Sequence, residues 1–175
     1  MLISKVPDVQ QSIIRNFQAS PPVDVIGLAR ALGVNVFVSS KLNEASGKLF
    51  RDTVNGGANG YSILVNVSDP VVRQRFTVAH ELGHYLLHLD NMESGEITDD
   101  AFYRSGLGVF REAEANRVAA EILMPLDRIQ MDRAILSGNG QNPDDAKILA
   151  SQYGVSEMAM AIRVDQLLKG QYVST

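Results

Sequence analysis

The sequence predicts an α+β fold: a small antiparallel or mixed three-stranded sheet packed against helices, with a long apolar helix at its centre and a C-terminal helical pair. Three observations carry this expectation. Helical periodicity occupies both ends of the chain, while the short strand-like runs are confined to residues 34–67. The order is helices, strands, helices, which favours segregated layers over strand–helix alternation. The helix that follows the strands is apolar on almost every side, as buried helices are.

Residues 7–17 read as a first helix, broken by Pro21-Pro22, because proline removes a donor and crowds the preceding turn. Val25, Ile26, Leu28, Ala29 and Leu32 give helical spacing to residues 24–32, and Gly33 is a natural stop. Residues 34–38, 47–51 and 62–67 are strand-like, punctuated by Asn55-Gly56-Gly57 and Asn59-Gly60. Asp69-Pro70 opens the central helix, which runs to residue 89. Residues 91–108 are polar and glycine-containing, so a loop is expected there. A further helix covers 110–124 and ends at Pro125, and two more span 144–152 and 157–169. Residues 1–130 are expected to form a core with N-terminal helices, and 131–175 a helical extension packed on it.

With 175 residues, 45% of them apolar and 21% charged, the chain reads as an ordinary soluble protein. It has no cysteine, which excludes disulfides, thiol catalysis and cysteine-bound metal. Residues 1–8 lack the basic-then-apolar pattern of a secretory signal. No run approaches the roughly 18 apolar residues of a membrane span. A cytoplasmic protein without a membrane contact is expected. The net charge of −4 argues against a nucleic-acid surface, since phosphate binding needs clustered positive charge.

The central helix contains H-E-x-x-H as His80, Glu81, Leu82, Gly83 and His84. Histidines four apart on a helix lie about 40° apart and share one metal readily. Zinc suits imidazole nitrogen and keeps an open position; manganese is the alternative. Glu81, about 100° further round, lies beside a water polarised by that metal and is placed to take its proton. Buried in so apolar a helix, three polar side chains would be costly without a common partner. Gly83 is unexpected mid-helix and implies the close approach of another backbone or of a substrate. His88 lies about 12 Å along the axis from His80, too far to share the metal, and reads as a hydrogen-bonded structural residue.

The chain has three histidines, so the third ligand is expected to be a carboxylate, from Glu93, Glu96, Asp99, Asp100, Glu112, Glu114 or Glu121. At 100° per residue, Glu112, Asn116, Ala119 and Leu123 share one stripe. Glu114, Arg117 and Glu121 cluster opposite, where solvent can reach them. Glu112 is therefore the expected ligand, and Asn116 a hydrogen-bond partner for a ligand histidine or the carboxylate. No clear oxyanion stabiliser emerges; Tyr103 and Arg104 are candidates, with a solvated loop role as the alternative.

Two segments, RQRFTVAHELGHYLLH over residues 73–88 and EAEANRVAAEILMP over residues 112–125, resemble the ImmA/IrrE metallopeptidases. GKLF over 47–50, LVN ending at Asn66, and YGVSEMAMAIRV over 153–164 fit the same resemblance. Val118 departs from a common phenylalanine, at a packing position. The resemblance implies a zincin-like H-E-x-x-H helix and a zinc endopeptidase. It also implies a protein substrate: a helix-turn-helix repressor encoded by the adjacent gene, cut at a restricted site. Stress response and transcription regulation would follow. The alternative is a non-catalytic or weakly catalytic binding partner in a toxin–antitoxin-like pair. A third reading takes residues 148–164 as a DNA-binding helix-turn-helix, with Ser156, Glu157, Arg163 and Asp165 exposed. One arginine among acids equips it poorly for a phosphate-lined groove.

Overall fold

The computed structural model describes residues 1–42, 45–93, 107–137 and 144–170. Among these, a 3₁₀ turn at Ile3–Lys5 precedes α1 (Asp8–Gln18) and α2 (Val25–Ala31), and three strands follow, β1 (Val34–Ser39), β2 (Gly47–Arg51) and β3 (Tyr61–Asn66). The remaining helices are α3 (Val71–Glu93), α4 (Leu107–Leu123), α5 (Leu126–Ser137), α6 (Asp145–Tyr153) and α7 (Glu157–Leu168). The α+β class, the three strands and the C-terminal helical pair are as the sequence predicts.

The sheet order is β1–β3–β2, with β1 parallel and β2 antiparallel to β3, so the sheet is mixed. The central strand β3 is the most buried, with Ile63 fully covered between Val36 and Leu49. Alternation places Val34, Val36, Leu49, Tyr61, Ile63 and Val65 on one face. That face meets α3: a Cβ built on Gly47, in the same row, would strike Thr77 Cγ2. Glycine at position 47 thus lets β2 lie directly on the helix that carries the H-E-x-x-H motif.

Local signals explain the boundaries. The Asp24 side chain accepts from Gly27 N–H at 2.9 Å, capping α2. Gly33 leaves that helix at φ 83°, a conformation glycine adopts without penalty. The Ser156 side chain caps α7 by accepting from Ala159 N–H at 3.2 Å. A single apolar cluster runs from Ile14 of α1 through Leu28, Ile63, Leu82 and Ile122 to Leu149 and Met160.

Helix α5 lies beyond Pro125, where the sequence pattern predicts no helix. Its inward face is Leu126, Ile129 and Asp132, each no more than 6% exposed. The buried aspartate breaks the apolar repeat that would have revealed the helix. It accepts from Tyr153 Oη at 2.7 Å, Arg128 Nε at 3.0 Å and Gln152 Nε2 at 3.2 Å, which binds α5 to α6. Arg163, expected on an exposed reading helix, is instead 3% exposed and donates from Nε to Met124 O at 2.8 Å. The basic group of the helix-turn-helix reading is therefore a packing element between α4 and α7. The expected loop over 91–108 is shortened at both ends by α3 and α4; its remainder, with Tyr103 and Arg104, lies outside the described residues.

α3 and α4 approach closely at Gly83. A Cβ on Gly83 would stand 2.9 Å from both Ala115 Cα and Ala115 O. Of the two explanations for Gly83, the close approach of a backbone is the one found. Gly83→Ala gains up to about 1 kcal/mol of helix propensity, but overpacking against an immobile backbone costs about 1–3 kcal/mol. The expected outcome is a Tm lowered by up to about 8 °C, read by thermal unfolding. An unchanged or raised Tm would show that α4 yields freely at this contact.

Candidate metal centre

The sheet, α3 and α4 bring one set of side chains together. His80 and His84 lie one turn apart on α3, and their Nε2 atoms are 3.0 Å apart. Glu112, near the start of α4, reaches both: its Oε2 is 3.2 Å from His80 Nε2 and its Oε1 is 3.1 Å from His84 Nε2. One ligand atom from each residue lies within 4.8 Å of the other two. Both Nδ1 atoms already have partners, Asn116 Oδ1 at 3.0 Å for His80 and His88 Nδ1 at 3.2 Å for His84. The two Nε2 atoms and the carboxylate therefore converge on one point, and this N, N, O set fits zinc with a fourth position left open.

Among the sequence candidates, Glu112 and Asn116 stand beside the histidines, as the stripe argument expects. Glu114 and Glu121 are a correction: neither is on a solvated face. Glu121 is 4% exposed, and its carboxylate accepts from Leu2 and Ile3 N–H, each at 2.9 Å. Glu114 holds His88 Nε2 at 3.1 Å. The stripe had been centred one step off. Ala115, Val118, Ala119 and Ile122 face the interior, each fully buried. Taking Ala115 as the centre at about 100° per residue, Glu112 falls on one flank and Glu114 with Glu121 on the other. Both flanks border protein. Of the other candidate carboxylates, Glu96, Asp99 and Asp100 lie outside the described residues.

Glu81 lines the same groove, together with His80, His84, Glu112 and the β2 segment Gly47, Lys48 and Leu49. The ladder explains how β2 reaches it. Ser46 O accepts from Asn66 N and Gly60 O accepts from Asp52 N, each at 2.8 Å. By antiparallel alternation, Gly47, Leu49 and Arg51 then turn their N–H and C=O groups away from β3, toward the free edge. The Leu49 N–H hydrogen-bonds the Glu81 carboxylate.

Electrostatics follow from this crowding. Burial pushes the Glu81 carboxyl up, against the pull of His80, His84 and the Leu49 N–H. Hydrogen bonds from His80 and His84 hold Glu112 well below the usual carboxylate range. For His80, burial lowers the pKa, but the Glu112 hydrogen bond and the charges of Glu81 and Glu112 outweigh it, and the net shift is upward. A carboxylate lowered on folding stabilises above its unfolded pKa; an imidazole raised on folding stabilises below its own. In metal-free protein the pair therefore stabilises in mild acid and loses that effect as pH rises above the ordinary imidazole value of 6.5. His88, whose pKa burial lowers, acts in the opposite sense, so the coupling is read by comparison: in chelator, the change in Tm from mild acid to mild alkali should be more downward in wild type than in Glu112→Gln. Equal slopes in the two proteins would refute the coupling.

A solved structure of a Mycobacterium tuberculosis transcriptional regulator shares the fold, with a TM-score of 0.57 and 18% identity. The likeness covers 91% of this chain and 47% of that one, so this chain spans about half its length. No curated protein matches. Residues 29–165 match the family model of the IrrE N-terminal-like domain, peptidase family M78, and with most of its length accounted for in this way the chain belongs to that family of metallopeptidases.

Proposed function

We propose that this protein is a zinc-dependent endopeptidase of the cytoplasm that cuts a partner helix-turn-helix repressor at a restricted site. The observation that carries the reading is the convergence of His80 Nε2, His84 Nε2 and a Glu112 carboxylate oxygen, with Glu81 in the same groove. In this reading His80, His84 and Glu112 hold the metal, Asn116 orients His80, and manganese is an acceptable substitute. Bound there, zinc supplies Lewis-acid polarisation of water and of the scissile carbonyl.

The chain's own groups do the rest. Glu81 takes the proton of the attacking water at its carboxylate and passes it to the leaving amine; burial, which raises its pKa, suits it to both steps. The outward-facing backbone groups of Gly47 and Arg51 and the Leu49 C=O suit an extended substrate, since peptides often bind by adding a strand to an exposed edge; the Leu49 N–H is taken by Glu81. Beyond that edge the groove is walled by Val72 and Phe76 of α3 and by Met158 and Ile162 of α7, all partly or well exposed. These side chains favour an apolar residue near the cut. A repressor as partner follows from the family resemblance.

The purified protein should carry about one divalent ion per chain. His80→Ala with His84→Ala should lose it, and Glu112→Ala should retain less than wild type. Elemental analysis giving full occupancy in the histidine double variant would remove the site. Glu81→Gln should keep fold and metal while cleavage of the adjacent-gene regulator falls about 10²- to 10⁴-fold. Equal cutting by both forms at equal metal content would take Glu81 out of the mechanism. A tight complex with the regulator, uncut by wild type under zinc or manganese, would favour a binding partner over a peptidase.

A further inference from the structure

The third histidine of α3 is not a bystander. His80, His84 and His88 stack along the helix with ring centroids 4.7 and 5.3 Å apart. His84 presents Nε2 to Glu112 and leaves Nδ1 3.2 Å from His88 Nδ1. His88 Nε2 lies 3.1 Å from Glu114 Oε2, and Lys5 Nζ stands 3.5 Å from the other Glu114 oxygen. His88 is 6% exposed, and the Glu114 side chain 12%.

We propose that His88 and Glu114 are positioning residues: a one-way hydrogen-bond relay that fixes the tautomer and ring orientation of His84 and so tightens its hold on a metal. The inference rests on the reading of His80, His84 and Glu112 as the metal site. Its direction is set by proton bookkeeping. Two Nδ1 atoms at this distance bond only if one carries a proton and the other does not. A metal on His84 Nε2 leaves the proton on His84 Nδ1, which donates. His88 Nδ1 must then accept, so the His88 proton sits on Nε2, where the Glu114 carboxylate receives it. Every link runs the same way and ends on a full negative charge. His80 is supported differently, by the neutral amide oxygen of Asn116. Groups that fix a ligand imidazole from behind raise its basicity, and their loss typically costs about 10- to 100-fold in metal affinity. A merely structural His88–Glu114 pair would change thermal stability and leave affinity alone.

The test is zinc affinity by chelator competition on the full chain at fixed pH, with nitrogen-15 NMR of the imidazoles. Glu114→Ala should weaken zinc binding about 10- to 100-fold, and Glu114→Gln, which keeps an acceptor oxygen, should restore most of it. Glu114→Ala strands a buried N–H, so His88→Leu and His88→Gln repeat the comparison at similar volume. Leucine should weaken binding and glutamine, with both an acceptor and a donor, should preserve it. In zinc-loaded wild type, His88 should be the neutral Nε2–H tautomer. Wild-type affinity in folded Glu114→Ala or His88→Leu, or a proton on His88 Nδ1, would overturn the relay. The His80→Ala/His84→Ala variant separates the two claims. If it binds zinc as wild type does, the metal site itself is wrong; if it loses zinc while Glu114→Ala does not weaken it, the relay alone fails.

Discussion

The contact between Gly83 and the Ala115 backbone sets the spacing of α3 and α4, and nearly every feature of the site follows from that spacing. With a Cβ at position 83 the helices would have to part, because the nearest atoms are backbone and have no rotamer to yield. Held this close, α4 brings carboxylates from both of its flanks to the one row of α3 that carries the three histidines. Glu112 and Asn116 come down beside His80 and His84, while Glu114 comes down beside His88. Two carboxylates only two residues apart thus serve different histidines. A wider crossing would lose both sets of contacts, since side chains of this length have little reach to spare.

The same spacing determines how charge is accommodated. Three carboxylates of α4 sit against protein, and each meets donors suited to its place. Glu112 meets two imidazoles, Glu114 meets one imidazole and Lys5, and Glu121 meets two backbone N–H groups of the N-terminal turn. Unpaired, the charges of Glu114 and Glu121, both largely covered, would be costly. The last contact joins the start of the chain to the helix that carries Glu112. The N-terminal turn is therefore fastened to the far flank of α4, and Gln18 adds a second fastening by donating to Glu121 O and Ile122 O.

Much of this was legible in the sequence, for physical reasons. β1 and β3 showed because their β-branched residues alternate, and β2 because glycine-containing turns set it off from β3. β2 was placed at Gly47–Arg51, and β1 and β3 within a residue at each end. His80, His84 and Glu112 were singled out because polar groups on apolar helix faces demand a partner, and the structure brings the three together. Helix α5 was hidden because the polar Asp132 occupies an inward position that periodicity assigns to an apolar residue. Glu114 and Glu121 were misplaced because a helical wheel gives angles but no centre. The buried arc of α4 is wide enough for both flanks to touch protein, and only the position of Ala115 against Gly83 fixes where that arc begins. Arg163 was misjudged by the same route, since its aliphatic stem lets a charged residue cross a buried interface to reach a carbonyl.

The exposure of the three converging side chains is uneven, and the unevenness gives the centre a direction. His80 and His84 are 16% and 19% exposed at the side chain, whereas Glu112 is 51% exposed. The histidines are walled by their own helix and by α4; the carboxylate stands at the rim. On the proposed function, a substrate chain would enter past Glu112, along the groove between the edge of β2 and the apolar side chains of α3 and α7. Leu49 ties that edge to Glu81 through its N–H, so the strand offered to a substrate and the proposed base share a hydrogen bond. A peptide aligned on the β2 edge would lie next to Glu81 without further adjustment. The register of β2 on β3, set by the ladder between Asn66 N and Ser46 O and between Asp52 N and Gly60 O, would then help to determine which peptide bond is presented.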